Sequence, residues 1–445
     1  MASAKTWLDR IRSLPLPDKI RVMNVCGGHE RSISMAGLRG ALPDNVELIP
    51  GPGCPVCVCP EEDIYAAIQL ARRDDITVAA FGDMLRVPCN APKAEPRSLE
   101  QAKAAGGDVR AVSSPEEVRS IAESMPGREV VFFAAGFETT TAPVAGLIAQ
   151  GLPPNLSILL SGRLTWPAVA MLLESESPGF NALIAPGHVS TIMGPEEWEF
   201  VARSHGIPAA VAGFHSESLL AAMYSVLRQV IEEKPFLDNC YSNVAQPGGN
   251  PTAKFVLEQV LDVTDANWRG VGVIPASGFA LKPAYAQHDA RLRFKINPDE
   301  DRKRAGEMPP GCDCARVVLG KIYPNECILY GRACTPRKPI GPCMVSDEGA
   351  CRIWWASGIR DPVGAGHARE ETNVGAGHAR DSQNVRASLA REEADVRASL
   401  ARDSQTVRAS LAREDSNPRI NRESRENQDS GIKSRARLAP TEDTG

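Results

Sequence analysis

Twelve cysteines stand at positions 26, 54, 57, 59, 89, 240, 312, 314, 327, 334, 343 and 351 of a chain of 445 residues. Ten of them fall in short clusters or beside a Gly-Gly-His turn, a distribution that favours metal ligands or redox groups over structural disulfides in a long intracellular chain. The first candidate is Cys26-Gly27-Gly28-His29-Glu30, which directly follows the apolar run Arg21–Val25. Two glycines strip side-chain bulk from around the thiol, so a ligand can approach it closely. His29 and Glu30 are placed to tune the thiol, move protons or bind metal. The alternative is a tight turn around a buried cysteine. The second candidate is Gly51-Pro-Gly-Cys54-Pro-Val-Cys57-Val-Cys59-Pro60. Cys54 and Cys57 have the C-x-x-C spacing of a dithiol redox centre or of half a zinc site. Redox or transient iron chemistry, a zinc site completed by Cys26 and His29, and plain structural thiols all remain open at this point.

The third candidate is Cys327-x6-Cys334-x8-Cys343-x7-Cys351. Four thiolates are the ligand complement of a [4Fe-4S] cluster or of tetrahedral zinc, and this spacing matches neither ferredoxin pattern. Cys312 and Cys314, just upstream, are two surplus thiols, either a disulfide that exchanges electrons with a cluster or groups without a role. Cys89 and Cys240 are isolated and read as packed thiols.

The elements that position these residues follow from hydrophobic patterning. Short β-branched runs at Ile20–Val25, Val46–Ile49, Ile76–Phe81, Val130–Ala135, Leu156–Leu160, Ala182–Ala185 and Val211–Ala212 alternate with helical patterns such as Glu61–Arg72, Pro115–Ser124, Trp166–Glu174 and Ser216–Glu232. Such alternation predicts an α/β fold with parallel sheets. Several strands end in glycine-containing polar turns: VCGGHE, FGDMLR, AAGFETT, APGHVS and AGFHSE. Ligands gather at the carboxyl ends of parallel strands, so Asp83, Arg86, Glu138, Thr139, Thr140, Thr141, His188, His215 and Glu217 are secondary candidates in one or two shared clefts. The segment near Gly107–Pro115 reads as a link between two similar lobes. The expected division is therefore 15–112 for a first α/β lobe with Cys26 and Cys54/Cys57, and 113–298 for a second. Residues 299–357 follow as a small cysteine-rich domain, too poor in apolar periodicity to fold without a metal or covalent staple.

Residues 358–445 repeat VGAGHAR and VRASLAR with an 11-residue period and contain no aromatic residue or cysteine. They read as a disordered tail that adds nothing to the chemistry. The formal net charge of −5 offers no basic face for nucleic acid or anionic membrane. No apolar run approaches the ~20 residues of a membrane span, and the first residues lack a signal peptide's apolar core. A cytoplasmic protein is expected. No G-x-x-x-x-G-K-[ST] phosphate loop is present.

The segments VCGGHE, ELIPGPGCPVCV, FGDMLRVP, FFAAGFETT, PGHVSTIMG, GFALKP and ECILYGRACTPRKPIGPCMVSDEGAC resemble the signature blocks of the HypD family, in its usual order, over approximately residues 15–357. The resemblance implies two related α/β lobes and a smaller iron–sulfur domain. It implies an assembly scaffold with redox chemistry rather than a conventional turnover enzyme. Such a scaffold works with the chaperone HypC and the cyanide donor HypE to build the Fe(CN)2CO group of [NiFe]-hydrogenases. On that pattern Cys26 holds Fe(II) jointly with a HypC cysteine, and Cys54 and Cys57 face the same cleft as redox thiols or further iron contacts. Cys327, Cys334, Cys343 and Cys351 bind a [4Fe-4S] cluster. Beside these, His29 and Glu138 are kept as catalytic candidates from the reading of their turns. One departure stands out: CGGHER here replaces CGGHTH, which removes the second histidine beside Cys26. Two other classes use the same residues, a ferredoxin-dependent disulfide reductase and a zinc-stabilised α/β binding module.

Overall fold

The computed structural model describes residues 2–360 except 176, 306 and 307, and the expectation of a disordered tail therefore lies almost wholly outside the described residues. Eleven strands are formed among them: β1 (Ile20–Asn24), β2 (Val46–Pro50), β3 (Ile76–Phe81), β4 (Asp108–Val112), β5 (Glu129–Gly136), β6 (Leu156–Gly162), β7 (Ala182–Pro186), β8 (Ala209–Ala212), β9 (Leu237–Asn239), β10 (Leu261–Trp268) and β11 (Gly272–Leu281). They make two parallel sheets, ordered β2-β1-β7-β8-β9 and β4-β3-β5-β6, and an antiparallel hairpin of β10 and β11. In β6 and β7 every residue is buried, which is why these strands read as continuous apolar runs rather than as alternating ones.

Sheet membership does not follow the expected division after residue 112. β1 pairs with both β2 and β7, through Val22↔Leu48 and Val22↔Ala182, while β3 pairs with both β4 and β5, and β5 pairs with β6. The chain thus leaves the first sheet after β2, builds the whole second sheet, and returns at β7. The stretch near Gly107–Pro115, read as a link, contains β4, the edge strand of the second sheet. The reason it was overlooked is its half-buried pattern, with Asp108, Arg110 and Ala111 not fully covered.

The interleaving fixes where chemistry can occur. In each sheet the strand order reverses beside the first strand formed, between β1 and β7 and between β3 and β5. Crevices form outside the carboxyl ends of strands at such reversals. Cys26 and His188 follow β1 and β7, and Asp83 and Glu138 follow β3 and β5. The C-x-x-C segment lies on the first crossing between the sheets. The cysteine-rich segment does not pack by itself: Cys314, Val317, Cys343, Met344, Cys351 and Trp354 share one hydrophobic core with Ile64, Ile68 and Val78. Among the described residues no helix is long and apolar enough to cross a membrane.

Candidate functional site

Cys26 is extended (φ −158°) and immediately precedes the helix Gly27–Met35. A side chain at Gly27 would overlap the backbone and Cβ of Glu348, and one at Gly53 would overlap the backbone of Cys26. These two glycines let three distant segments meet around one sulfur, and the Gly27 amide donates to the Gly53 carbonyl at 3.0 Å. Cys26 is half-buried. Burial first, and the nearby Glu348 carboxylate second, push its thiol up to about 12 against the backbone amides of His29 and Gly28. The free thiol is therefore protonated at neutral pH, and a bound cation is what would bring out the thiolate.

Cys54 and Cys57 form a disulfide across the short helix Pro55–Val58, with Pro55 at its first position and the Cys57 amide donating to the Cys54 sulfur at 3.2 Å. Both are buried. Cys26, Glu30, Cys54, Cys57, Cys343 and Glu348 line one small cavity. Glu348 borders this cavity and is exposed to solvent. Desolvation by the surrounding protein first, and the Asp83 charge second, lift its carboxyl to about 7 against the favourable charge of Arg31.

Around this cavity a buried charge network holds the parts together. Glu30 is 2% exposed and accepts from Trp354 Nε1 at 2.7 Å, from Asn24 Nδ2 at 3.0 Å and from Arg39 Nη2 at 2.8 Å. It joins the end of β1 to the helix Ala350–Ala356. Beyond the C-x-x-C, Glu61, Glu62 and Asp63 open the helix Glu61–Ala71, and each takes a different arginine. Glu61 pairs with Arg269, Glu62 with Arg302 at 2.8 Å, and Asp63 with Arg291 at 2.6 Å. Ser161 Oγ donates to Asp63 at 2.6 Å and lies 3.4 Å from the sulfur of buried Cys59. Of these groups only Glu30 was singled out from the sequence; Glu61, Glu62, Asp63 and the arginines were not. The run of three acids directly after C-x-x-C-x-C-P was the available signal.

The C-terminal cysteines are unbonded to one another. Cys334, Cys343 and Cys351 are buried and Cys327 is half-buried. The Ile340 amide donates to the Cys334 sulfur and the Cys351 amide to the Cys343 sulfur, each at 3.3 Å. Hydrogen bonds from the Cys314 and Cys351 thiols hold Cys343 well below the usual thiol range. Among the described residues no three His, Cys, Asp or Glu side chains converge closely enough to hold one ion, so a single tetrahedral zinc site is not preformed. The set is thiol-only and mostly buried, with backbone amides aimed at the Cys334 and Cys343 sulfurs, which is the donor chemistry that an iron–sulfur cluster takes.

The remaining candidates lie elsewhere. His29 is fully buried, its Nε2 2.9 Å from the Ala212 carbonyl and its ring 4.9 Å from Phe214. Burial, and His188 to a lesser degree, push its pKa down to about 3, against the Ala212 contact. It is neutral and is not among the residues lining the Cys26 cavity. His188 stacks on Phe214 with ring centroids 3.9 Å apart. Glu138, also fully buried, accepts from the Thr165 amide at 2.7 Å and hydroxyl at 2.8 Å, anchoring the helix Thr165–Leu173. Burial lifts its carboxyl to about 7. Asp83 accepts from Ser346 Oγ at 2.8 Å, and Arg86 donates to the Pro336 carbonyl at 2.8 Å, so this turn grips the cysteine-rich segment.

A family model described as the hydrogenase formation hypA family, HypD, matches residues 2–358. The chain is 42% identical over 351 residues to hydrogenase maturation factor HypD2 of Bradyrhizobium diazoefficiens, covering 76% of this chain and 89% of that protein. It is 38% identical over 368 residues to hydrogenase maturation factor HypD of Azotobacter vinelandii, covering 80% and 94%. The corresponding factor of Escherichia coli is 38% identical over 344 residues, covering 76% and 88%.

Proposed function

The chain belongs to the HypD family, and from that premise we propose that it is a hydrogenase maturation factor that holds iron on Cys26 while the Fe(CN)2CO group of a [NiFe]-hydrogenase is assembled. The observation that carries this reading is the single cavity shared by Cys26, the Cys54–Cys57 disulfide and Cys343. Low-spin Fe(II) carrying cyanide and carbon monoxide is a soft centre that suits thiolate ligands. Binding it displaces the Cys26 proton and leaves coordination positions for a cysteine of a HypC-type chaperone. The glycines at 27, 28 and 53 keep the sulfur approachable by such a partner.

Cyanide delivered as a thiocyanate by a HypE-type donor has to be released by reduction. With Cys54 and Cys57 as a dithiol, R–S–CN and two thiols become R–SH, hydrogen cyanide and the Cys54–Cys57 disulfide. The two electrons leave the thiols, the S–CN bond breaks, and cyanide is captured by the iron as its proton departs. The disulfide in the structure is the oxidised state of that step. Cys327, Cys334, Cys343 and Cys351 would hold a [4Fe-4S] cluster, which when bound supplies single electrons beside this disulfide. The hydrophobic core around Cys54, Cys57 and Cys343 excludes water from the exchange.

The double variant Cys54→Ser/Cys57→Ser tests the redox half of this reading. Purified with its HypC-type partner, it is expected to retain iron at Cys26 but to accept no cyanide from the HypE-type donor. Full cyanide transfer by that variant would rule the dithiol step out.

A further inference from the structure

Of the cysteines at 327, 334, 343 and 351, Cys327 alone is not buried, so a group held by the set comes nearest to solvent at this corner. The next residue, Ile328, is 64% exposed and lies over the turn at Gly311, where an added side chain would meet its Cδ1 at 3.4 Å. Basic side chains surround this corner. The Asp313 and Leu329 amides reach the Cys327 sulfur, and Asp313 pairs with Arg316 at 3.5 Å. The Lys321 amide donates to the Arg316 carbonyl at 2.9 Å. On the other side, the Arg332 amide donates to the Leu329 carbonyl at 3.2 Å, and a turn closed between Thr335 and Lys338 carries Arg337 and Lys338. Residues 311–340 contain five basic residues, all exposed, against one exposed acid, Glu326, whose carboxylate is tied to the Tyr323 amide at 2.6 Å. Among the described residues Lys321, Arg332, Arg337 and Lys338 pair with no carboxylate. The whole chain has a formal net charge of −5, so this positive rim is a local feature and not a consequence of composition.

We infer that the rim around Cys327 and Ile328 is the docking face for a small acidic one-electron carrier protein, an inference that rests on the cluster reading above. Each cyanide released by the dithiol leaves one disulfide, and the two electrons that reopen it come from outside the chain. Cys54 and Cys57 are buried and line the cavity assigned to iron, so the Cys327 corner is the approachable entry. An exposed aliphatic centre ringed by cations has the anatomy of a transient redox interface, which is small and is steered by charge. Complementarity to the ring selects a carrier with an acidic face. On docking, the reduced carrier loses one electron and the group held by Cys327, Cys334, Cys343 and Cys351 gains it. No bond forms or breaks and no proton moves, and two such encounters supply one disulfide.

The test uses the full-length chain, purified anaerobically, and an acidic plant-type [2Fe-2S] ferredoxin as the probe. Calorimetric titration should show binding that weakens at least about tenfold as salt rises from about 50 to about 300 mM. Lys321→Glu/Arg332→Glu should weaken it by about tenfold or more, and Ile328→Glu by a similar factor. Arg203→Glu/Lys234→Glu, which reverses exposed charges elsewhere, should leave it unchanged. A basic c-type cytochrome should not bind. Stopped-flow reduction by the reduced ferredoxin should slow in the rim variants, while reduction by dithionite, which needs no docking, should not. Iron and acid-labile sulfide per chain are measured on the same samples and report on the cluster reading alone. Because binding is read whether or not the cluster is loaded, its failure and the absence of a cluster are separate results. Three results overturn the inference: no binding of the ferredoxin, equal affinity in the rim variants and the native chain, or iron and sulfide lost in the rim variants. The last would make these side chains supports of the cluster and not a docking face.

Discussion

At the scale of single residues, type and spacing pointed to the sulfurs, and the structure brings Cys26, Cys54, Cys57 and Cys343 to one cavity. What spacing could not reveal is which neighbours face that cavity. His29 lies three residues from Cys26 but turns toward Ala212 and Phe214, because a helical start sends its side chain to another face. Glu30, read from the sequence as a group that could tune the Cys26 thiol, move protons or bind metal, is a buried hub for Trp354, Arg39 and Asn24. Glu30→Ala strands those donors and is expected to cost about 3–5 kcal/mol in urea unfolding, whereas Glu30→Gln, which keeps an acceptor, should cost less. A loss under about 1 kcal/mol for Glu30→Ala would deny the hub.

His29 also gives the fold a pH signature. Its folded pKa of about 3 lies below the ordinary 6.5, so between those values the unfolded chain binds the extra proton. The stability His29 contributes is complete above pH 6.5 and is lost as pH falls toward 3, at about 1.4 kcal/mol per pH unit. Unfolding followed from pH 6.5 to 4.5 should show this slope in the native chain and a shallower one in His29→Gln. Parallel slopes would place the acid sensitivity elsewhere.

At the scale of elements, the buried parallel strands were legible because they are apolar on both faces, as β6 and β7 show. The hairpin β10–β11 was missed. β10 carries a run of four exposed residues, Asp262 to Asp265, and a register shift between Thr264 and Ala266, so it alternates poorly. Its turn nevertheless supplies Arg269, whose amide donates to Val58 at 3.0 Å and whose side chain pairs with Glu61 and donates to the Pro88 carbonyl at 2.7 Å. The hairpin thus braces the helix carrying the disulfide. Arg269→Ala leaves a buried carboxylate unpaired and should cost about 3–5 kcal/mol in chemical denaturation. A near-neutral effect would mean that Glu61 is relieved by protonation or by water.

At the scale of the molecule, the order of domains was the part least visible in the sequence. Pairing of β1 with β7 joins residues that each local pattern assigns to different lobes, and only long-range contact can reveal it. The same interleaving carries the C-x-x-C across from one sheet to the other, where it lines one cavity with Cys26 and Cys343. The cysteine-rich segment, expected to stand alone, shares the core behind the C-x-x-C helix. That sharing puts Cys54, Cys57, Cys334, Cys343 and Cys351 in one core. The central claim is that iron is carried at Cys26 while its diatomic ligands are added. The most direct measurement is an infrared spectrum of the anaerobically purified complex with its HypC-type partner, in the cyanide and carbonyl stretching region. Cyanide and carbonyl bands that are present in the native complex and vanish in Cys26→Ala are the predicted result. Bands that persist undiminished in Cys26→Ala would contradict the account.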